Sequence, residues 1–335
     1  MKSQSKELTL SLLAYAAQRD ISPKDICGLA DIDMDAIANN KWDDITTKKL
    51  DSLWVHASQL SKDTLFGLHF GESLQLSALG AVGEIIKSSS TVGEGLQIAV
   101  SLVHLVTDKF TMELSTGKNH SHIYLLPKES SARLSFVDQQ IADLLLAFTI
   151  HELDGFLFRK IEPLEICFPT LPSATSEYER IFRCKKIKRG KTYAIKLKSD
   201  ILDTPLLTAN HQLQKFFLDK IQIKSPGPLG QSNQFNKKVF NFLISNAYLK
   251  VPSIEETASN FNISLRTFQR RLNEEGFTFQ QIADSVRKLL AIEYIEANKY
   301  PIKEISYVLG YNEISAFSRA FKRWTGKAPA HYTAN

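Results

Sequence analysis

A short pattern occurs twice toward the C-terminal end of the chain, from Ile254 to Leu272 and again from Ile302 to Phe321. This duplication constrains the fold most, because each copy spells two short helices joined by a tight turn. In the first copy Ile254 and Ala258 share a helical face and Asn262 follows at the turn; in the second, Ile302 and Ser306 keep that offset and Gly310 is the turn residue. Asn and Gly reach φ > 0 at least cost, which a tight turn between packed helices requires. Past the turn come Ile263 or Tyr311, then Phe268 and Leu272 in one copy and Phe317 and Phe321 in the other. Each pair is four apart, so one apolar stripe pins the second helix onto the first. The second copy is one residue longer, which leaves the pattern intact.

The flanking residues agree. Ser253 and Glu256 predict a capping box, Ser264 a cap for the following helix, and Pro301 the first position of the helix after that. Between the copies, Thr278 to Ala297 sets Phe279, Ile282, Val286, Leu289, Leu290 and Tyr294 on a helical period. A helix of that length spans roughly 30 Å, close to the ~34 Å between successive major grooves on one face of B-DNA. Such a connector lets a single chain place two recognition helices in adjacent grooves.

Gly310-Tyr311, the run from Phe317 to Trp324, Gly326 and Pro329 in the second copy form a recognisable signature, as do Ile263-Ser264, the run from Phe268 to Leu272 and Gly276 in the first. On these residues the stretch from Asn233 to Tyr332 resembles the DNA-binding domain of the AraC/XylS family of bacterial transcriptional regulators. The resemblance implies an all-α domain in which two helix-turn-helix motifs are joined by a linker helix. It also implies that Arg266, Thr267, Gln269 and Arg270 face the groove in the first motif, and Ser315, Ala316 and Arg319, with Lys322 beside them, in the second. Arg and Gln suit bidentate contacts to guanine and adenine edges, so the first helix is expected to carry more of the specificity. The alternatives are that Arg266 and Arg270 form a solvated basic face, and that Arg319 pairs with Glu313 or another acidic neighbour.

Charge follows the same division. The chain has 41 Lys and Arg against 36 Asp and Glu, and from Asn233 onward the balance is fourteen against nine, so the whole excess of +5 lies in the part expected to meet phosphate. The neutral front half holds one basic run, Arg183, Lys185, Lys186, Lys188, Arg189 and Lys191, read as a solvated hairpin between strands. The Pro, Gly and Ser stretch from Ser225 to Ser232 marks a linker. The expected division is 1–222 for an effector-binding or dimerisation domain, 223–232 for the linker and 233–335 for the DNA-binding domain.

In the front domain Leu10, Leu13 and Ala17 keep a helical stripe, and a capped segment after Ser90-Thr91 carries Leu96, Val100 and Val103. Phe110, Met112 and Leu114 alternate like a half-buried strand, as do Tyr193, Ile195 and Leu197; Leu164 to Phe168 reads as a third strand and Asp138 to Phe158 as a long apolar helix. The mixture predicts an α+β domain with an antiparallel sheet. Phe66-Gly67-Leu68, Gly71, Leu79-Gly80, Gly83, the run from Thr91 to Leu96, Phe168-Pro169, Tyr178, Phe182 and the run from Leu202 to Leu206 are similar to the arabinose-binding type effector domain of one branch of these regulators. That name does not identify the ligand.

Other patterns carry less. Cys27, Cys167 and Cys184 are scattered, with no disulfide framework or zinc spacing. His120 and His122 would share a strand face without a third ligand, and His151-Glu152 is followed by Gly155 where a zinc-protease helix needs a second histidine. Tyr15, Trp42, Trp54 and Tyr124 line either a ligand cavity or the core. No apolar run approaches a membrane span and no signal peptide is legible, so a cytoplasmic, nucleoid-associated protein without membrane contact is expected. The sequence thus predicts no enzyme, catalytic residue, cofactor or metal, but a regulator that meets double-stranded promoter DNA and RNA polymerase. The direction implied by the resemblance is activation, controlled by a small-molecule effector, with a homodimer in view. Two alternatives stand: a front domain that only dimerises or binds a protein partner, and a DNA-repair alkyltransferase, whose reactive Cys setting is missing here.

Overall fold

The computed structural model describes residues 3–38, 45–128, 134–157, 159–173, 175–206, 234–246, 251–297, 301–311 and 313–332. The chain divides into two compact units, residues 1–208 and 209–335. Trp42, the expected linker at 223–232 and the boundary at 208–209 lie outside the described residues.

The first unit opens with helices α1 (Ser3–Ala17), α2 (Pro23–Leu29), α3 (Met34–Ala38), α4 (Thr47–Ser61), α5 (Phe66–Ser73), α6 (Ala81–Lys87) and α7 (Val92–Val106). Local chemistry sets several starts: the side chains of Ser22, Thr46 and Thr91 accept from the backbone N–H three residues on, capping α2, α4 and α7. Strands β1 (Phe110–Ser115) and β2 (His120–Pro127) follow, then α8 (Phe136–Leu157), β3 (Glu165–Phe168), α9 (Thr175–Phe182), β4 (Ile187–Arg189) and β5 (Tyr193–Lys198). In α1 the core face is Leu8, Leu12, Leu13, Tyr15 and Ala16, whereas Leu10 of the expected stripe is exposed. Apolar residues on nearly every side of α1 blur its period.

The sheet order is β1-β2-β5-β3-β4. Ile123 sits opposite Ile195, and Ile195 opposite Ile166, in antiparallel ladders. The α+β domain is as expected, and its antiparallel sheet is mixed at one edge, where β3 and β4 run parallel with Ile166 beside Ile187. Helix α9 is the reason: a helical crossover returns the chain in the same direction, which a tight turn cannot do. The basic run is therefore not a hairpin. It covers a short edge strand, and Arg183 bonds Asp154 while Lys186 and Lys188 both bond Glu165, at 2.8 and 2.9 Å. Lysines on a brief edge strand also discourage pairing with another sheet.

Helix α8 runs through the core, and α5 packs on it at the closest approach the backbone permits. A Cβ on Gly67 would enter the backbone of Gln140, and one on Gly71 would enter that of Leu144 and lie 2.9 Å from the Ala147 Cβ. Gln140 fastens the contact: its Oε1 accepts from the Gly67 N–H at 2.7 Å and its Nε2 donates to the Thr64 carbonyl at 2.9 Å. Tyr15, Trp54, Phe66 and Phe70 form one aromatic cluster on this scaffold, with Tyr15 and Phe66 ring centres 5.2 Å apart. Three carboxyls of α8 are buried. Burial pushes Asp143 up to about 7 against the Tyr178 hydroxyl bond, Glu152 up to about 8 against the Leu76 N–H, and Asp154 up to about 6 against Arg183.

A charge cluster ties α5 to α9. The ring nitrogens of His69 lie 2.6 Å from Asp63 and 3.0 Å from Glu177, and Arg180 grips Glu72 with two bonds of 2.7 and 2.8 Å. Burial by itself would lower the His69 pKa, but the bonds to Asp63 and Glu177 outweigh it and raise it to about 9. The raised value makes the His69 contribution complete below about pH 6.5 and lost as pH rises through about 9. The buried α8 carboxyls act in the same sense, their contribution being lost as pH rises through about 6 for Asp154, 7 for Asp143 and 8 for Glu152, so they share part of this window. Melting temperature is thus expected to fall between pH 6.5 and 9, and His69→Gln should flatten that part of the profile. Melts with the same slope in both proteins would show that His69 does not hold the proton.

Candidate functional sites

The second unit contains α10 (Phe235–Asn246), α11 (Ile254–Asn260), α12 (Leu265–Glu274), α13 (Phe279–Ala297), α14 (Ile302–Val308) and α15 (Ile314–Thr325). The first repeated pattern is α11 and α12, the second α14 and α15. Ser253 closes a full capping box: its Oγ accepts from the Glu256 N–H at 3.1 Å, and its own N–H donates to the Glu256 carboxylate at 2.7 Å. Asn262 at the turn has φ 52°, and Ser264 caps α12 by accepting from the Thr267 N–H at 3.2 Å. In the second motif Gly310 has φ 84°. Pro301 stands at the N-cap of α14 rather than its first helical position. Its ψ of 144° is extended, so the helix begins one residue later than expected.

Each recognition helix is seated by the expected stripe. Phe268, Phe317 and Phe321 are 0% exposed and Leu272 is 1% exposed. Phe268 meets the rings of Phe235, Phe261 and Phe279 at 5.2 to 6.2 Å, while Phe317 meets Tyr311 at 5.6 Å and Phe321 meets Tyr332 at 5.2 Å. Helix α13 contributes Ile282, Ala283, Val286, Leu290, Ala291 and Tyr294 to the same core, so both motifs share one interior.

With those stripes inward, Arg266, Gln269 and Arg270 are exposed on α12 and Ser315, Arg319 and Lys322 on α15; Thr267 and Ala316 are half-buried. Arg270 has an exposed partner in Glu274 at 3.6 Å, too open to hold it firmly. Arg319 does not pair with Glu313, whose carboxylate accepts instead from the Ser315 hydroxyl at 3.0 Å. Other cations of this unit are used internally. Arg271 lies over the Phe235 ring at 4.0 Å, and Asp284 of α13 holds Arg287 at 3.1 Å and Arg323 of α15 at 3.4 Å. The last pair, largely exposed at Arg323, links the second recognition helix to the connector only lightly. Sequence reasoning missed it, although Asp284 and Arg287 are spaced to pair on a helix. It also missed Glu275, which accepts from the N–H groups of Phe235 and Asn236 at 2.6 and 2.7 Å and so caps α10 from the end of α12.

Among the described residues of the first unit, two concavities stand out. A cavity of about 70 Å³ is lined by aliphatic side chains of α6, α7 and α8, among them Val82, Leu96, Leu145 and Leu153, with Glu152 in its wall. A larger cleft of about 510 Å³ combines Leu8, Leu50, Trp54 and Ile141 with Asp51 and Lys109. Lys109 bonds Asp51 at 2.9 Å and lies 3.4 Å from Asp138. Of the aromatic residues considered as cavity walls, Tyr15 is core, Trp54 is core and borders this cleft, and Tyr124 stacks at 5.7 Å on His122, two residues back on the same face of β2. Among the described residues no cluster of three or more His, Cys, Asp or Glu is arranged to hold a metal, and no helix is long and apolar enough to cross a membrane.

The positive φ at Gly310 makes a direct test. Gly310→Val puts a β-branched residue, the kind least able to adopt positive φ, at this turn, at a cost of about 1 to 3 kcal/mol. The variant is expected to melt lower and lose DNA binding; wild-type melting and binding would show that the turn tolerates another geometry.

Comparison with known proteins agrees with this architecture. Residues 21–206 match the family described as the arabinose-binding domain of AraC transcription regulator, N-terminal, and residues 257–335 match a helix-turn-helix domain family. The ornithine utilization regulator of Pseudomonas aeruginosa is 27% identical over 285 residues, covering 84% of this chain and 81% of the relative. The HTH-type transcriptional regulator VqsM of the same organism is 26% identical, covering 79% and 82%. The crystal structure of transcriptional regulator CdpR from Pseudomonas aeruginosa superposes with a TM-score of 0.42 at 20% identity, over 92% of this chain and 95% of that one. The relatives are transcriptional regulators and neither matching family is catalytic. With an effector-type domain and a helix-turn-helix domain matched across most of its length, the chain belongs to the AraC family of DNA-binding transcriptional regulators.

Proposed function

We propose that the protein is a transcriptional activator in which a small, partly apolar metabolite bound by the first unit controls how the second unit meets promoter DNA and RNA polymerase. The observation that carries the DNA half is the pair of seated recognition helices with outward, lightly held cations: Arg266 and Arg270 on α12, Arg319 and Lys322 on α15. Arg266, Gln269 and Arg270 read base edges with Thr267 beside them, and Ser315, Ala316, Arg319 and Lys322 supply a second, poorer set. Helix α13, with 19 residues, spans about 28 Å and suits two successive major grooves.

The cleft beside Trp54 supports the effector half, because about 510 Å³ of mixed polarity is the size and character of a metabolite site. The name of one relative, an ornithine utilization regulator, is in keeping with control by a small metabolite. Effector binding shifts an equilibrium between DNA-engaged arrangements, and the first unit also mediates self-association as a homodimer. Activation is the direction carried over from the family resemblance. The proposed chain division remains 1–222, 223–232 and 233–335.

Arg270→Ala is expected to cost about 1 to 3 kcal/mol on the preferred site and to relax preference at one base position, while Lys327→Ala weakens all sequences alike and lowers the salt slope by about one. Quantitative binding to preferred and random duplexes over a salt series separates the two. Equal losses on both duplexes for both variants would remove the division of labour. For the effector, Thr47→Trp at the rim of the cleft is expected to abolish any change in promoter output caused by a metabolite extract while leaving DNA binding intact. An undiminished response in that variant would move the ligand elsewhere.

A further inference from the structure

Among the described residues of the second unit, the exposed large apolar side chains are Leu265, Phe277, Tyr307 and Ile314. Leu265 and Ile314 occupy one and the same place in the repeat. With Phe268 laid on Phe317, Leu265 falls on Ile314; each is the first residue of its recognition helix, and they are 38% and 39% exposed.

Neither helix needs an apolar residue there to fold. The seating stripes are already fully buried without it, and the start of α12 is capped by Ser264. An exposed β-branched or γ-branched side chain at a helix start satisfies none of the free N–H groups. Leu265 instead shares a face with Gln269, four residues on, and so borders the side of α12 that carries Arg266 and Arg270. The second helix is more one-sided still. Next to Ile314 stand Ser315, whose hydroxyl is engaged by Glu313, and Ala316. The leading turn of α15 therefore presents chiefly hydrocarbon toward a groove whose edges are otherwise donors and acceptors. The apolar group that a base pair shows in the major groove is the 5-methyl of thymine.

We propose that Ile314, with Ala316 beside it, and Leu265 at the equivalent place each pack on a thymine methyl, so that each half of the binding site contains a thymine read by contact rather than by hydrogen bonding. This rests on the reading of α12 and α15 as groove-bound. It gives the second motif a means of discrimination that its short polar side chains lack. Burying one methyl is worth about fourfold in affinity.

The test uses the full chain and the duplex it enriches from a random library, with each thymine replaced in turn by deoxyuridine, which removes the methyl and keeps the pairing. Wild type is expected to lose about fourfold at one position in each half. Ile314→Ala should lose a similar factor on the parent duplex and become indifferent to the replacement in one half, Leu265→Ala to that in the other, and Ile314→Val should keep most of the sensitivity. Melting of the variants should match wild type, since both positions are exposed. An enriched duplex that binds as well with every thymine replaced, or an Ile314→Ala variant as sensitive as wild type at every position, overturns thymine reading while leaving DNA recognition in place. Failure to enrich any sequence overturns this inference together with the assignment of α12 and α15 as groove readers.

Discussion

Both reading helices depend on a single apolar interior threaded by α13. Phe268 stands among Phe235, Phe261 and Phe279 at one end, while Phe317 and Phe321 stand with Tyr311 and Tyr332 at the other, and α13 belongs to the same cluster throughout. Each fully buried phenylalanine contributes on the order of 1.5 to 3 kcal/mol, so seating a recognition helix and fixing its distance from the other are one act of packing. Close-packed interiors deform little, which makes the spacing of the two motifs a property of the fold rather than of the DNA.

The two motifs are not equally finished. In the first, the capping box at Ser253 and the cap at Ser264 satisfy both helix starts from side chains. In the second, neither Pro301 nor Glu313 makes a side-chain cap bond. The first motif thus combines better-fixed helices with the richer hydrogen-bonding residues, and the second combines less fixed ends with apolar ones. Direct polar readout demands angular precision, whereas methyl contact tolerates some play, so under the proposed reading chemistry and construction agree within each half.

Legibility in the sequence followed the range of the interactions. Ser253 with Glu256, Ser264, Asn262 and Gly310 act within a few residues, so spacing alone disclosed the caps and turns of the second unit. The inward stripes of α12 and α15 were as plain, and they left the outward residues defined by exclusion. What escaped depends on residues far apart. Nothing near Ile187 says that its strand runs beside Ile166 in parallel, because α9 and the pairing with β5 decide it. Glu275 shows no local sign of reaching Phe235. Leu10 misled for the opposite reason, since α1 offers apolar residues on several sides and tertiary packing chose among them.

The carboxyls of α8 have a consequence for the thermodynamics of the whole first unit. In an unfolded chain Asp143, Glu152 and Asp154 are ionised at neutral pH, yet inside the fold they hold their protons up to about 7, 8 and 6. Folding near neutrality therefore draws hydrogen ions from solution, with His69 adding to the uptake. The proton is in this sense a ligand of the native state, taken up at neutral pH chiefly by Glu152 and in part by Asp143. The heat measured on unfolding then includes that of the buffer accepting the released protons, and two buffers of equal pH but unlike ionisation enthalpy report different apparent enthalpies for the same protein.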